Sequence, residues 1–148
     1  MKIKLDPGAY MPTRAHEDDA GLDLYARENQ IVPAKESAVF DTGVHVQLEP
    51  FRFTDGYSFY KFKTVGFLKS KSGLNVNHGI TSEGVIDMGY TGSIRVKLYN
   101  HSYLDYTVRR GDKISQLVIL PVLTPVLQQV DSLGETERGD DGFGSSGR

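Results

Sequence analysis

The chain has 148 residues, 39% of them hydrophobic and 24% charged, with a formal net charge of -2 and no cysteine. This length suffices for one domain with its own core, and the composition is that of an ordinary soluble protein; it excludes disulfides and cysteine-ligated zinc, and it lacks the basic excess of a broad nucleic-acid footprint. Met1–Asp6 has no apolar run after its lysines and no later segment is apolar enough to cross a membrane, so neither a secretory signal, nor a membrane, nor nucleic acid is expected, and a cytoplasmic location is.

Lys2–Leu5 alternates as a short strand, and Pro7-Gly8 breaks it. Residues Met11 to Asp19 are polar, contain Pro12 and read as an irregular loop. Ala20–Ala26 reads as a strand with an acid, Asp23, between two leucines. If Leu22 and Leu24 face the core, Asp23 faces the other side, which reads as a solvated face. Ile31-Val32-Pro33 and Ala38-Val39-Phe40 are β-like. Thr42-Gly43 reads as a turn, followed by the alternating strand Val44–Leu48 with His45 on its exposed phase. Pro50 ends that strand.

Phe51 to Phe67 is rich in aromatics and punctuated by Asp55-Gly56, which predicts a long hairpin with Tyr57–Lys63 as its returning arm. Its aromatic content points to packing or to a subunit contact. Leu68–Leu74 carries two hydroxyls, two lysines and a glycine. That set suits anion binding by a short helical turn, and it equally suits a basic surface turn.

Gly84–Gly92 puts an apolar pair in front of Asp87, then a Gly-rich turn holding Tyr90, then the alternating strand Ser93–Asn100. An acid and an aromatic are thereby fixed on a hairpin frame whose turn stays open to a ligand. Tyr106–Val108 is β-like, Arg109–Asp112 is a turn, and Lys113–Leu120 is an apolar strand with one amide, Gln116. A buried Gln must be hydrogen-bonded, so Gln116 is a core bridge or a ligand contact. Val122–Val130 is a last β-like run interrupted by Pro125. The tail from Ser132 to Arg148 is polar, Gly-rich and expected to be mobile. Within it, Arg138–Gly147 offers backbone donors, a guanidinium and one aromatic, Phe143, which suits a phosphate nest. Alone it would read as a loose Gly/Ser terminus, and it lacks the Gly-Lys-Ser/Thr ending of a P-loop. No long amphipathic helix and no repeat occur. Short strands with frequent turns predict an all-β barrel, sandwich or jelly roll over residues 1–131, with an arm over 132–148.

Five segments stand in one order: Ala20–Ala26, Ser70–Leu74, Gly84–Asn100, Arg110–Ile119 and Arg138–Gly147. The set resembles the five motifs of the homotrimeric dUTP diphosphatase (dUTPase) family, and the similarity runs from Met11-Pro12-Thr13 to Gly147. The resemblance implies a single-domain, distorted jelly-roll or β-barrel with a mobile C-terminal arm. It also implies a homotrimer with shared active sites, Mg²⁺ as cofactor, and hydrolysis of dUTP to dUMP and pyrophosphate, which removes dUTP and supplies dUMP for thymidylate synthesis. By position, Asp87 falls on the acid that activates water. Asp23 falls on the acid that supports metal-bound water. Tyr90 falls on the tyrosine that packs on the deoxyribose and excludes a 2′-hydroxyl. The backbone around Gly84 and Ile86 falls on the segment that reads uracil. Lys71, Ser72, Gly73 and Gln116 fall on phosphate contacts, with Lys71 where arginine is usual. Asp112 falls on a structural acid paired with an arginine. Arg138, Gly144, Ser145 and Ser146 match the loop that holds the outer phosphates, and Phe143 matches the ring that stacks on the base.

Other positions depart from the family pattern. Gly89 replaces a common acid, Asp141 replaces a usual glycine, and Ser146 replaces a usual threonine. The Phe51–Phe67 hairpin is longer than usual, and the Asn75–Glu83 link is short. Two alternatives stand beside the hydrolase. One is the related dCTP deaminase, whose hairpin often carries a glutamate where this chain has Asp87 and Tyr90. The other is a dUTP-binding regulatory trimer that docks a protein partner, a role the long aromatic hairpin would serve.

Overall fold

The computed structural model describes residues 1–137 and 139. Among them the chain forms ten strands and one short helix. These are β1 (Lys2–Leu5), β2 (Gly21–Tyr25), β3 (Gln30–Val32), β4 (Ser37–Gln47), β5 (Phe51–Thr54), β6 (Phe59–Lys69), α1 (Ser72–His78), β7 (Ile80–Asp87), β8 (Ser93–Asn100), β9 (Tyr106–Val108) and β10 (Lys113–Val122). Pairing is antiparallel throughout. One sheet runs in the order β1-β4-β8-β7-β6-β10-β2, with β5 hanging on β6, and a small second sheet joins β3 to β9. The large sheet curls into a half-barrel, so the expected all-β, jelly-roll-like fold is what the chain adopts.

Side-chain alternation decides which face closes. In β8, Ile94, Val96 and Leu98 are buried while Arg95, Lys97 and Tyr99 face out. Phe40 from β4, Leu24 from β2, Ile80 from β7 and Leu117 from β10 meet them in one core. Each such side chain contributes roughly 1.5–3 kcal/mol when fully buried. Two polar clusters tie the strands at its margin. Ser82 and Ser115 share a hydrogen bond of 2.9 Å between β7 and β10, and Ser115 Oγ also donates to the Lys69 carbonyl at 3.0 Å. Buried Asn100 donates to the carbonyls of Val32 and Leu104 and accepts from Ser102, closing the end of β8 over β3.

Several expectations are corrected. Thr42-Gly43 is no turn: β4 runs through it as one strand, with a bulge between Asp41 and His45. Gly43 takes φ +66° there, and a Cβ would meet the Arg27 side chain at 2.8 Å. The β-like run Val122–Val130 forms no strand beyond Val122, because these residues find no neighbour to pair with in the single chain. Asp112 does not pair with a guanidinium; its carboxylate accepts the backbone N–H of Arg109 at 2.8 Å and closes the turn into β10. Asp23 and His45, read as exposed strand residues, are both enclosed, as set out below. The predicted hairpins hold, including β5–β6 with its Asp55 turn, where the Asp55 carboxylate accepts the N–H groups of Tyr57 and Ser58.

Candidate active site

Strand register builds a polar row. Asp23 on β2 stands opposite Gln116 on β10, Gln116 opposite Lys69 on β6, and Lys69 opposite Glu83 on β7. Residues opposite one another share a face, so four polar side chains cross four strands in line. Lys69 and Glu83 neutralise each other at 2.6 Å.

Asp23 is the buried member, with 2% of its surface exposed. It does not face solvent, because the irregular segment before it folds back: Thr13 bridges to Asp23, whose N–H donates to the Thr13 carbonyl at 2.7 Å. Lys71 Nζ bonds its Oδ1 at 2.7 Å, and Gln116 Nε2 reaches the same oxygen at 3.4 Å. Lys113 Nζ lies 2.7 Å from Oδ2 in an ionic contact off the hydrogen-bond line. Burial pushes the Asp23 carboxyl up, but the ammonium groups of Lys113 and Lys71 and the Gln116 amide outweigh it, and the pKa ends below its ordinary value. Lys113 is correspondingly held above its ordinary range by the Asp23 carboxylate. Two ammonium groups meet one carboxylate, so the cluster keeps a surplus positive charge facing outward, which suits an anion.

Lys71 is the residue before α1, with extended φ and ψ and no side-chain cap; its ammonium turns to Asp23 instead. Ser72 and Gly73 follow as exposed residues on the first turn, and a Cβ at Gly73 would meet nothing within 4 Å, so backbone there is open to a ligand. The structure thus brings Asp23, Lys71 and Gln116 into contact and places Ser72 and Gly73 just beyond them.

The second group sits on the β7–β8 hairpin. Gly84 is half-buried against Leu68, and Ile86 is buried in the core, so only its backbone is offered. Asp87 ends β7 and is exposed. The Tyr90 N–H donates to the Asp87 carbonyl at 2.9 Å, and the Tyr90 hydroxyl donates to the Ser93 carbonyl at 2.9 Å, so the ring lies along the turn. A Cβ at Gly92 would stand 2.5 Å from the Tyr90 oxygen, which leaves glycine as the residue that fits. Asp87 is four residues past Glu83 on β7, about 13 Å along the strand at 3.3 Å per residue. The single chain therefore does not bring Asp87 and Tyr90 to the Asp23 cluster. Arg138, Asp141, Phe143, Gly144, Ser145 and Ser146 lie outside the described residues.

Sequence reading missed Lys113 and His45. Strand alternation puts Lys113 on the face opposite Gln116; the irregularity between Lys113 and Ser115 re-aims it toward Asp23. His45 sits beside the β4 bulge, with both ring nitrogens in contact with protein groups.

A curled antiparallel sheet with a lysine-rich, outward-facing cluster on one edge and an exposed acid beside a fixed tyrosine on a hairpin defines a β-protein equipped for a polyanionic, ring-bearing ligand. The comparisons specify the kind. A family model described as dUTPase matches residues 8–147. The chain is 40% identical to the deoxyuridine 5'-triphosphate nucleotidohydrolase of Clostridium acetobutylicum over 99% of this chain and 96% of that protein. It is 40% identical to the one from Gloeothece citriformis over 99% and 97%. Among solved structures it resembles the dUTPase of Staphylococcus bacteriophage 80alpha bound to dUPNHPP, with a TM-score of 0.82 and 30% identity over 99% of this chain and 98% of that one. It also resembles a variant dUTPase from phage phi11 of S. aureus, solved for the coordination of a structural Mg(II) ion, with a TM-score of 0.73 and 29% identity over 88% and 96%. The chain belongs to the dUTPase family, whose enzyme class is dUTP diphosphatase.

Proposed function

We propose that this chain hydrolyses dUTP to dUMP and pyrophosphate in a homotrimer whose subunits share active sites. The observation that carries the reading is the pair of half-sites: a cationic cluster at Asp23, Lys71 and Gln116, and an exposed Asp87 with its fixed Tyr90. Both fall on the family's motifs, and they are too far apart on one chain to serve one ligand. Assembly would join the hairpin of one subunit to the cluster of another.

In this reading water stands in line with the α-phosphorus. Asp87 takes its proton as the oxygen attacks, the bond from the α-phosphorus to the bridging oxygen breaks, and pyrophosphate leaves. Lys71, Ser72, Gly73 and Gln116 hold the phosphate chain, with Arg138, Gly144, Ser145 and Ser146 closing on its outer end and Phe143 over the base. The arm over 132–148 serves as the lid that excludes water. Gly84 and Ile86 present main-chain groups to uracil, and Tyr90 covers the sugar.

Among the described residues no group of three or more His, Cys, Asp or Glu could hold a metal. Both oxygens of Asp23 are already taken by ammonium groups. The protein side of the site does not fit a resident ion. Mg²⁺ enters as part of the substrate, chelated by the triphosphate, and a role for Asp23 through metal-bound water requires an ammonium to leave it first.

The test is pyrophosphate release from dUTP, dCTP, dTTP and UTP with Mg²⁺, beside Asp87→Asn. Release from dUTP alone, with kcat lower by about 10²–10⁴-fold in the variant and dUTP binding kept, is the expected result. Full activity in Asp87→Asn would remove Asp87 as the base, and ammonia release from dCTP would turn the assignment to the deaminase.

One observation favours a regulatory role beside catalysis. On one face of the β5–β6 ribbon Phe53 stacks on Tyr60 with ring centres 4.6 Å apart, and Tyr57 and Phe59 at the tip are 99% and 91% exposed. The phage 80alpha study describes phage dUTPases as controlling transfer of virulence genes by a G-protein-like mechanism. A protein partner here would dock on this ribbon. Replacing Tyr57 and Phe59 with Ser would then abolish partner binding with dUTP turnover intact.

A further inference from the structure

The turn that carries Tyr90 is gripped from outside its own hairpin. His45 stands opposite Lys4 on β1 and Ser93 on β8. Its Nδ1 lies 2.9 Å from the carbonyl oxygen of Thr91, the residue after Tyr90. Its Nε2 lies 3.2 Å from Asp6 Oδ1, shielded from water and off the hydrogen-bond line. A neutral imidazole has one N–H and one lone pair. The Thr91 carbonyl only accepts, so Nδ1 must carry a proton. The lone pair of a neutral ring would then face the Asp6 carboxylate, which also only accepts. Both contacts are favourable together only in the imidazolium.

The charges around the ring decide how firmly it holds its proton. Asp6 on the segment after β1 favours the charged ring, while Lys4 across the β1–β4 pair opposes it, and Lys2 lines the same cleft. Arg27 lies 3.8 Å from Asp6 and 3.5 Å from Asp41, which dilutes the carboxylate's effect, and Arg95 on β8 acts on Asp41 in turn. The turn 88–92 brings no charged side chain. The Thr91 carbonyl and Asp6 prevail over partial burial and Lys4, so the His45 pKa stands above its ordinary 6.5.

We propose that His45 is a positioning residue for sugar selection: anchored on Asp6, its ring holds the Thr91 carbonyl and thereby keeps Tyr90 in the attitude that excludes a 2′-hydroxyl. This rests on the reading of Tyr90 given above. The Asp87 and Ser93 contacts of Tyr90 close the turn from within; His45 fixes it against the body of the sheet. Loss of the ring proton loosens one of the two grips. Discrimination between dUTP and UTP then falls, while proton transfer at Asp87 is untouched.

The experiment measures kcat and KM for dUTP and for UTP with Mg²⁺ from about pH 6 to about pH 9. The variants are His45→Asn, whose amide can donate to Thr91 without titrating, His45→Leu, and Asp6→Asn. Their thermal unfolding is followed in parallel. The expected wild-type ratio of kcat/KM for dUTP over UTP drops about two- to tenfold as the pH rises, the size of one lost positioning hydrogen bond. Most of the change lies in KM. His45→Asn is flat and high, His45→Leu is flat and low, and Asp6→Asn moves the wild-type inflection to lower pH. A wild-type ratio that is high but flat with pH, or an unchanged ratio in folded His45→Leu, overturns the inference alone. A ratio near one at every pH overturns the Tyr90 reading and this inference with it.

Discussion

Asp23 carries two ammonium groups on one nearly inaccessible carboxylate, and that is a statement about stability as well as about ligands. Its folded pKa lies below its ordinary 3.8 because the lysines outweigh burial. A depressed carboxylate pKa contributes stability that is fully present above the unfolded value and lost as the pH falls through the folded one. Asp23→Asn removes that term and leaves Lys71 and Lys113 facing an amide. At neutral pH the variant is expected to lose on the order of 1–3 kcal/mol, discounted from a fully buried pair because both lysines keep access to water. Denaturant unfolding checks it: the gap between wild type and variant should close as the pH falls below about 3.8. A gap that stays constant from neutral to acid pH would show that the two ammonium groups do not stabilise the charged form. The chemistry of this residue was legible in the sequence, since an acid between two leucines stands out. Its burial was not. Strand alternation says only that Asp23 points away from Leu22 and Leu24, and what covers that side is a loop with no periodic pattern of its own.

At the scale of elements, the hairpins were legible because turn residues mark them. The Asp55-Gly56 corner joins β5 to β6, and the Gly-rich 89–92 stretch joins β7 to β8. The same chemistry misled at Thr42-Gly43, since glycine at positive φ serves a turn and a bulge alike. What separates the two is whether the neighbouring strands keep pairing past it, and β1 and β8 both do. The β7–β8 turn is where an element-scale change can be predicted most sharply. A methyl at Gly92 would meet the Tyr90 oxygen at 2.5 Å and two ring carbons at 2.7 and 3.0 Å. Gly92→Ala should therefore push the ring off the turn and break its bond to the Ser93 carbonyl. About 1–3 kcal/mol of stability is expected to go with it, the usual cost of overpacking. On the reading of Tyr90 as the sugar cover, UTP should also become a better substrate relative to dUTP, with the effect in KM. Steady-state kinetics on both nucleotides checks this, and a variant with unchanged selectivity would mean that the ring's position does not set sugar choice.

For the whole molecule, the exposed apolar surface makes the argument. Leu123, Val126, Leu127 and Leu133 are 79%, 96%, 91% and 86% exposed, all on the chain after β10. Burying four such side chains would contribute roughly 6–12 kcal/mol at 1.5–3 kcal/mol each, before the entropy of ordering the segment is subtracted. Leu123–Val130 was read as β-like from its residues, and it has the apolar content of a strand without a strand to pair with. Propensity was legible; the partner was not, because it is not in the same chain's described fold. A second copy of this chain would supply it and would also bring the β7–β8 hairpin toward a neighbour's Asp23 cluster. Two truncations separate these roles. A chain ending after Glu137 keeps the apolar segment and loses the Arg138–Gly147 motif. It should remain trimeric by sedimentation equilibrium while kcat/KM for dUTP falls by about 10²-fold or more, the scale of removing phosphate-positioning groups. A chain ending after Val122 loses both, and it should sediment as a monomer without measurable turnover. A trimer from the shorter chain would place the subunit contacts elsewhere on the sheet. Full turnover from the longer truncation would remove the arm from the active site.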